Sequence, residues 1–203
     1  MNTFIHLVTP IITNDAAFLP LLDQALSGPR IASLWLRCGG ATDKDRQRIA
    51  QALVPVAQAR GTAVMVDAGD PRFAARAGAD GLHLNFEIDL LEQALSSLKP
   101  DRVVGVGGLD LRDNAMIAGE MGADYVMFGE PDAAGQTPLL SSVLERCAWW
   151  SEIFNTPCIG YAPNAGAIAP IIATGVEFVG LGDWVFAGDT TTILAAAVAA
   201  CKG

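Results

Sequence analysis

The stretch AGADGLHL (77–84) recurs in altered letters as MGADYVMFG (121–129) and TGVEFVGLG (174–182). In each, a glycine stands where a helix would end in the left-handed conformation. A small or acidic residue then turns the chain, and a short apolar strand begins. Outward from these three connections, eight runs have strand composition: FIHLVTP (4–10), SLWLRC (33–38), AVMVDA (63–68), GLHLN (81–85), VVGVGG (103–108), YVMFGE (125–130), PCIGYA (157–162) and FVGLGD (178–183). Their starts lie 18 to 32 residues apart. That spacing leaves room for a helical crossover between parallel neighbours and exceeds what a hairpin needs.

The segments between the runs read as helices. Thr42 to Arg60 carries Ile49, Ala52, Leu53, Val56 and Ala57 on one face, with Thr42 as N-cap and Arg60-Gly61 closing the end. Glu87 to Leu98 repeats the pattern. Thr137-Pro138 reads as a cap with proline at the first helical position, opening a helix to about Glu152. Asn164 to Thr174 and Thr190 to Cys201 are alanine-rich helices. Eight strand–helix units predict a compact (β/α)8 barrel as one domain over residues 1–203. The alternative, an open doubly wound sheet, lacks its fingerprint: GVGGLD (105–110) has no third glycine of the G-x-G-x-x-G type.

Thirteen basic and 22 acidic residues give a net charge of −9, which argues against a nucleic-acid or anionic-membrane partner. Hydrophobic residues make up 51%, the opposite of a disordered composition. No run reaches the ~18 apolar residues of a membrane span. MNTFIHLVTP lacks the basic start of a signal peptide, so the expected location is the cytoplasm. With only 17% charged residues, some apolar surface is expected to be covered by a second copy in a homo-oligomer. Cys38, Cys147, Cys158 and Cys201 show no metal or redox spacing and read as reduced, buried thiols.

In such a barrel the chemistry sits at the C-terminal strand ends. Those positions are Thr9, Arg37, Cys38, Asp67, Asp70, Asn85, Glu87, Gly107, Asp110, Glu130, Asp132, Tyr161, Asn164, Gly182 and Asp183. Arg37, after Leu-Trp-Leu, needs a phosphate or an acidic partner, and Asp67 on the next strand is the candidate for an ion pair. Asp67, Glu87 and Asp89 offer oxygens to a hard cation such as Mg2+. Glu87 and Asp89 read equally as helix-capping acids. His6 and His83, inside strands, read as hydrogen-bonded core residues. Trp35, Trp184 and Tyr161 are placed to wall a planar ligand. DAAGQT (132–137) is a glycine turn before a helix, either an anion cradle or an ordinary loop.

The string GADGLHLNFEIDL (78–90) resembles GADGVHLGQEDL of the thiamine-phosphate synthase and thiazole tautomerase superfamily. LVTP (7–10), LWLR (34–37), AVMVDAGDPRFAARAGAD (63–80) and GVGGLDLRDNAMIAGEMGADYVMFGEP (105–131) resemble further segments of that family in the same order. The resemblance implies a TIM barrel that joins a hydroxymethylpyrimidine diphosphate to a thiazole phosphate with Mg2+, releasing diphosphate. It implies that Arg37 holds the diphosphate as the catalytic residue. It places Asp67, Asn85, Gly107, Thr137, Gly160 and Gly182 around phosphorylated small-molecule substrates, and Asp67 and Asp89 on Mg2+.

Departures from the family pattern are Gly39 for a lysine, Asp67 for an asparagine, Ala68 for a metal aspartate, Phe86 for a glutamine and Gly107 for a serine. GEPDAAGQT also has no lysine. An acidic mouth short of lysines predicts reduced synthase turnover. The alternatives are a paralogue that binds a phosphorylated metabolite without turnover and a thiazole tautomerase-like isomerase.

Overall fold

A computed structural model of the chain describes residues 3–67, 69–132 and 134–202. Ala68, the position that departs from a metal aspartate, lies outside the described residues. Eight parallel strands close in sequence order: β1 (Phe4–Val8), β2 (Ser33–Leu36), β3 (Ala63–Asp67), β4 (Gly81–Asn85), β5 (Val103–Gly107), β6 (Tyr125–Phe128), β7 (Cys158–Ala162) and β8 (Phe178–Leu181). β8 pairs back onto β1, with Phe4 opposite Phe178. Around them lie α1 (Asp15–Leu26), α2 (Asp43–Ala59), α3 (Arg72–Ala77), α4 (Ile88–Leu98), α5 (Arg112–Met121), α6 (Leu140–Ile153), α7 (Ile168–Ile172) and α8 (Thr190–Cys201). The strand–helix alternation is the (β/α)8 barrel that the spacing predicts.

The repeat has a physical basis at the N-terminal end of the barrel. Gly78, Gly122 and Gly175 have φ of 71°, 103° and 89°, so each leaves its helix through the left-handed region that favours glycine. The acid two residues on turns back to the strand before. Asp80 Oδ2 accepts from Val64 N–H at 2.7 Å, and Asp124 Oδ2 from Val104 N–H at 2.7 Å. Glu177 Oε2 accepts from Cys158 N–H at 2.8 Å. Each repeat thus satisfies an amide at the start of a strand, that of the second residue of β3 and β5 and of the first residue of β7.

Strand alternation divides the core in two. Outward residues such as Leu34, Leu36, Val64, Leu82 and Val126 pack under the helices. Inward residues Val8, Trp35, Met65, Tyr125, Met127, Ile159 and Tyr161 fill the lumen. His6 and His83 join that lumen as expected of hydrogen-bonded core residues. His6 Nδ1 lies 2.7 Å from Ser33 Oγ, and His83 Nδ1 lies 2.9 Å from Tyr125 Oη. Burial holds both imidazoles neutral, with pKa values pushed down to about 3.

Three helices differ from expectation. α2 opens on a capping box between Thr42 and Asp45, but it buries Ile49, Ala50, Leu53, Val54 and Ala57, with Ala52 exposed. α6 begins at Leu140 after Leu139, so Thr137-Pro138 is loop and caps nothing. Asn164 to Thr174 is a short 3-10 turn (Ala165–Ala167) followed by the five residues of α7. All four cysteines are reduced and buried.

Candidate functional site

The strands' C-terminal ends open on two adjoining cavities. The first, about 300 Å3, is lined by Trp35, Arg37, Arg46, Asp67, His83 and Asn85 among others. The second, about 510 Å3, is bordered by Arg37, Asp132, Thr137, Tyr161, Pro163 and Asp183. Arg37 belongs to both. Its backbone is fixed because Arg37 N–H donates to Thr9 Oγ1 at 3.0 Å. Its guanidinium sits 5.3 Å from the Trp35 ring centre and has no carboxylate partner among the described residues. The ion pair expected between Arg37 and Asp67 is therefore absent, and the half-buried cation faces the cavities instead.

Asp67 closes β3 with Oδ1 buried and unpartnered. Burial raises its pKa, and the positive charge of Arg46 opposes the rise. Arg46 also lines the first cavity, although it lies on α2 and not at a strand end. Its Nε donates to the Cys38 carbonyl at 3.2 Å and its Nη2 to the Asp67 carbonyl at 2.7 Å, which turns the guanidinium into the first cavity. Arg72 and Arg112, basic residues near the rim, are tied elsewhere. Arg72 pairs with Asp70 at 3.1 Å, and Arg112 pairs with Glu145 at 2.7 Å over the Trp149 ring.

The remaining expected residues fall into two groups. Asn85 lines the first cavity, and Thr137 is exposed on the border of the second. Gly107 and Gly182 face the lumen, where Glu130 and His83 press on the first and the Tyr161 hydroxyl on the second. Gly160 faces the other way. A Cβ there would lie 3.0 Å from Cys147 Sγ and against Ile171 in the helix layer, so its close approach serves packing behind β7. Asp89 is an exposed first-turn acid of α4 and does not line the cavity that Asp67 faces. Among the described residues no three His, Cys, Asp or Glu side chains are grouped to hold a metal.

The loop DAAGQT is closed by its own acid. Asp132 Oδ1 accepts from Ala134 N–H and Gln136 N–H, both at 2.8 Å, so these two donors are not free to cradle an anion; Ala133 lies outside the described residues. At Gly39 a Cβ would lie 2.7 Å from Ile11 Cγ2 and 3.0 Å from Thr13 Cγ2, leaving no room for a lysine with this backbone. Glu130, expected as a mouth acid, is 8% exposed. Gly108 N–H donates to its Oε1 at 2.5 Å, and burial pushes its pKa up to about 7.

Residues 5–182 match the family model of thiamine monophosphate synthase. A thiamine-phosphate synthase of Rhodospirillum centenum is 35% identical over 176 residues, 86% of this chain and 84% of that one. One from Hyphomonas neptunium is 30% identical over 193 residues, 91% of this chain and 86% of its own. The thiamine phosphate pyrophosphorylase of Pyrococcus furiosus superposes with a TM-score of 0.78 at 19% identity, over 98% of this chain and 97% of that one. A 3-hexulose-6-phosphate synthase superposes nearly as well, at 0.77 and 17% identity, so the shared barrel by itself does not choose the chemistry. The family match and the sequence relatives make that choice: the chain belongs to the thiamine monophosphate synthase family.

Proposed function

We propose that the two cavities hold a hydroxymethylpyrimidine diphosphate and a thiazole phosphate side by side, with Arg37 between them. The observation that carries this reading is Arg37: a half-buried cation without a carboxylate partner among the described residues, bordering both spaces. Such a group is matched by an anion that arrives with the substrate. In the reaction the C–O bond to the diphosphate breaks and the electron pair leaves with the diphosphate. The thiazole nitrogen lone pair then forms the new C–N bond. No proton needs to move, so the protein's task is charge neutralisation and placement. Arg37 and Arg46 face the leaving diphosphate, Trp35 walls the pyrimidine, and Tyr161 shapes the thiazole side.

Mg2+ fits Asp67 alone. A carboxylate with an unpartnered oxygen, completed by diphosphate oxygens and water, suits the ion, and Asp89 is not among the residues that line the cavity. Bound there, Mg2+ would neutralise the developing diphosphate charge. A reduced rate belongs to the same reading, supported by the packed Gly39 and by Asp132 on the DAAGQT amides. So does a homo-oligomer, supported by the exposed apolar side chains of Ile11, Leu111 and Leu139.

The test is a steady-state assay of purified protein with both precursors and Mg2+, beside a family enzyme that has the lysines. Thiamine phosphate formation at a kcat/KM about 10²-fold below that enzyme is expected, the scale of one missing charge-stabilising group. No product at any protein concentration would overturn the reading.

A further inference from the structure

Beneath the first cavity two polar side chains converge on the lumen face of Gly107. Gly129, at a φ of 96°, turns the chain after β6, and the Glu130 carboxyl reaches across to β5. A methyl group at 107 would overlap Glu130 Oε1 and lie 2.7 Å from His83 Nε2, so only glycine leaves this corner open to both. Glu130 is 8% exposed and His83 1%. Each has spent one polar atom, Oε1 on Gly108 N–H and Nδ1 on Tyr125 Oη. Each keeps one buried atom with no partner among the described residues, Oε2 and Nε2. The neighbouring Trp35 adds an unpartnered Nε1, and its ring centre lies 4.0 Å from that of His83. Buried polar atoms normally find partners, and an unpaired set beside a cavity marks where a ligand supplies them.

The chemistry of the corner selects the ligand. Burial favours the neutral carboxyl, which donates through one oxygen and accepts through the other. When Tyr125 donates to Nδ1, His83 presents Nε2–H as a further donor. The tilted Trp35 ring supplies an apolar, aromatic wall. A phosphate is poorly served by a carboxyl, and a purely apolar ring would leave all three atoms unpaired.

We propose that Glu130, with His83, reads the edge of an aminopyrimidine-type ring, its free Oε2 carrying the O–H that donates to a ring nitrogen and its Oε1, beside the bond it accepts from Gly108 N–H, accepting on its second lone pair from the adjacent exocyclic amino group. The inference rests on the first cavity being the pyrimidine's place, and it names the residue that would recognise the ring there.

Calorimetric titration of the wild-type chain with the unphosphorylated aminopyrimidine alcohol, and with its analogue lacking the amino group, tests this without turnover. Tighter binding of the amino compound by at least about tenfold is expected, because a site built for a polar group rejects the analogue that lacks it. Glu130→Gln retains one donor and one acceptor and should keep that discrimination. Glu130→Met, of similar length, should abolish it, with thermal melting confirming the fold. Equal binding of both compounds by wild type, no binding of either, or discrimination kept by the Met variant would overturn the inference. Loss in the Gln variant would overturn it too, since charge and not a two-point pair would then be responsible. If the Met variant does not fold, the wild-type comparison and the Gln variant decide. Discrimination without any synthase turnover would sink the proposed function and leave this inference standing. Turnover without discrimination would do the reverse.

Discussion

The two ends of the barrel treat their acids in opposite ways. At the N-terminal end Asp80, Asp124 and Glu177 each accept from an amide at the start of a strand, so three repeats solve one backbone problem in the same way. At the C-terminal end half-buried Asp67 and buried Glu130 each keep one buried oxygen without a partner, and Trp35 Nε1 and His83 Nε2 are unpartnered as well. Arg102 Nε and Ser151 Oγ are exceptions at the N-terminal end. The difference separates acids that hold the fold from acids the fold has to carry. A satisfied buried carboxylate adds stability, whereas an unsatisfied one costs it and is kept for what it binds.

The sharpest test of that contrast is the pH dependence of stability at Glu130. Its pKa rises from 4.5 to about 7 on folding, so the native state holds a proton that the unfolded chain releases. Its contribution is therefore most favourable below about pH 4.5 and is lost as pH climbs through about 7, by about 3 kcal/mol in all. His6 and His83 act in the opposite sense. Their depressed pKa values cost stability as pH falls from 6.5 toward about 3, so the wild-type curve alone mixes the terms. The difference between Glu130→Gln and wild type isolates one of them. In denaturant melts the Gln variant should gain on wild type steadily between pH 4.5 and 7 and then level off. A flat difference would mean that Glu130 is as well satisfied as Asp80.

Arg37→Ala comes next. Removing the cation should weaken diphosphate binding by about 1.5–3 kcal/mol, or roughly 10- to 100-fold, the scale of charge-assisted hydrogen bonds. Stability should change by no more than about 0.5 kcal/mol, since no described carboxylate depends on it. Unchanged binding with a large stability loss would place Arg37 among the structural residues.

Asp80→Ala probes the other end. It strips the Val64 amide of its acceptor and releases Gln58 Nε2, held at 3.1 Å. An unfolding cost of about 1–3 kcal/mol is expected, with both substrate KM values unmoved. A shift in KM would show that the two ends are coupled through β3.

Much of this contrast was legible in the residues, and the illegible part has physical causes. The repeat gave the barrel because a left-handed glycine and a following acid solve a local problem, and local problems leave local signals. Gly160 was readable as well. Strand alternation puts it opposite in sense to Tyr161, so the lumen position of Tyr161 sends Gly160 to the helices. Resemblance to a glycine-bearing loop overrode that simple parity. Arg46 and the Glu130–His83 corner were not readable. The first acts from a helix turn through two backbone carbonyls, and the second needs Gly107 and Gly129 to bring three strands together. Asp89, four residues beyond the end of β4, stands exposed in the first turn of α4, outside the lining of the first cavity.

The smallest expected effect belongs to Thr137, and it tests how far the mouth extends. Its side chain is exposed on the border of the second cavity, in a loop where Asp132 occupies the amides of Ala134 and Gln136. No element depends on it, because α6 starts three residues later without a side-chain cap. Thr137→Ala should therefore leave unfolding free energy within about 0.5 kcal/mol of wild type. If the thiazole phosphate reaches this border, one neutral hydrogen bond is lost. That amounts to about 0.5–1.5 kcal/mol, a rise of a few-fold in KM for the thiazole phosphate alone. The pyrimidine diphosphate, on the far side of Arg37, should not respond. Equal rises for both substrates would mean that the two cavities act as one. No rise for either would confine the phosphate to Arg37 and the inner wall, and would leave Thr137 with no part in binding.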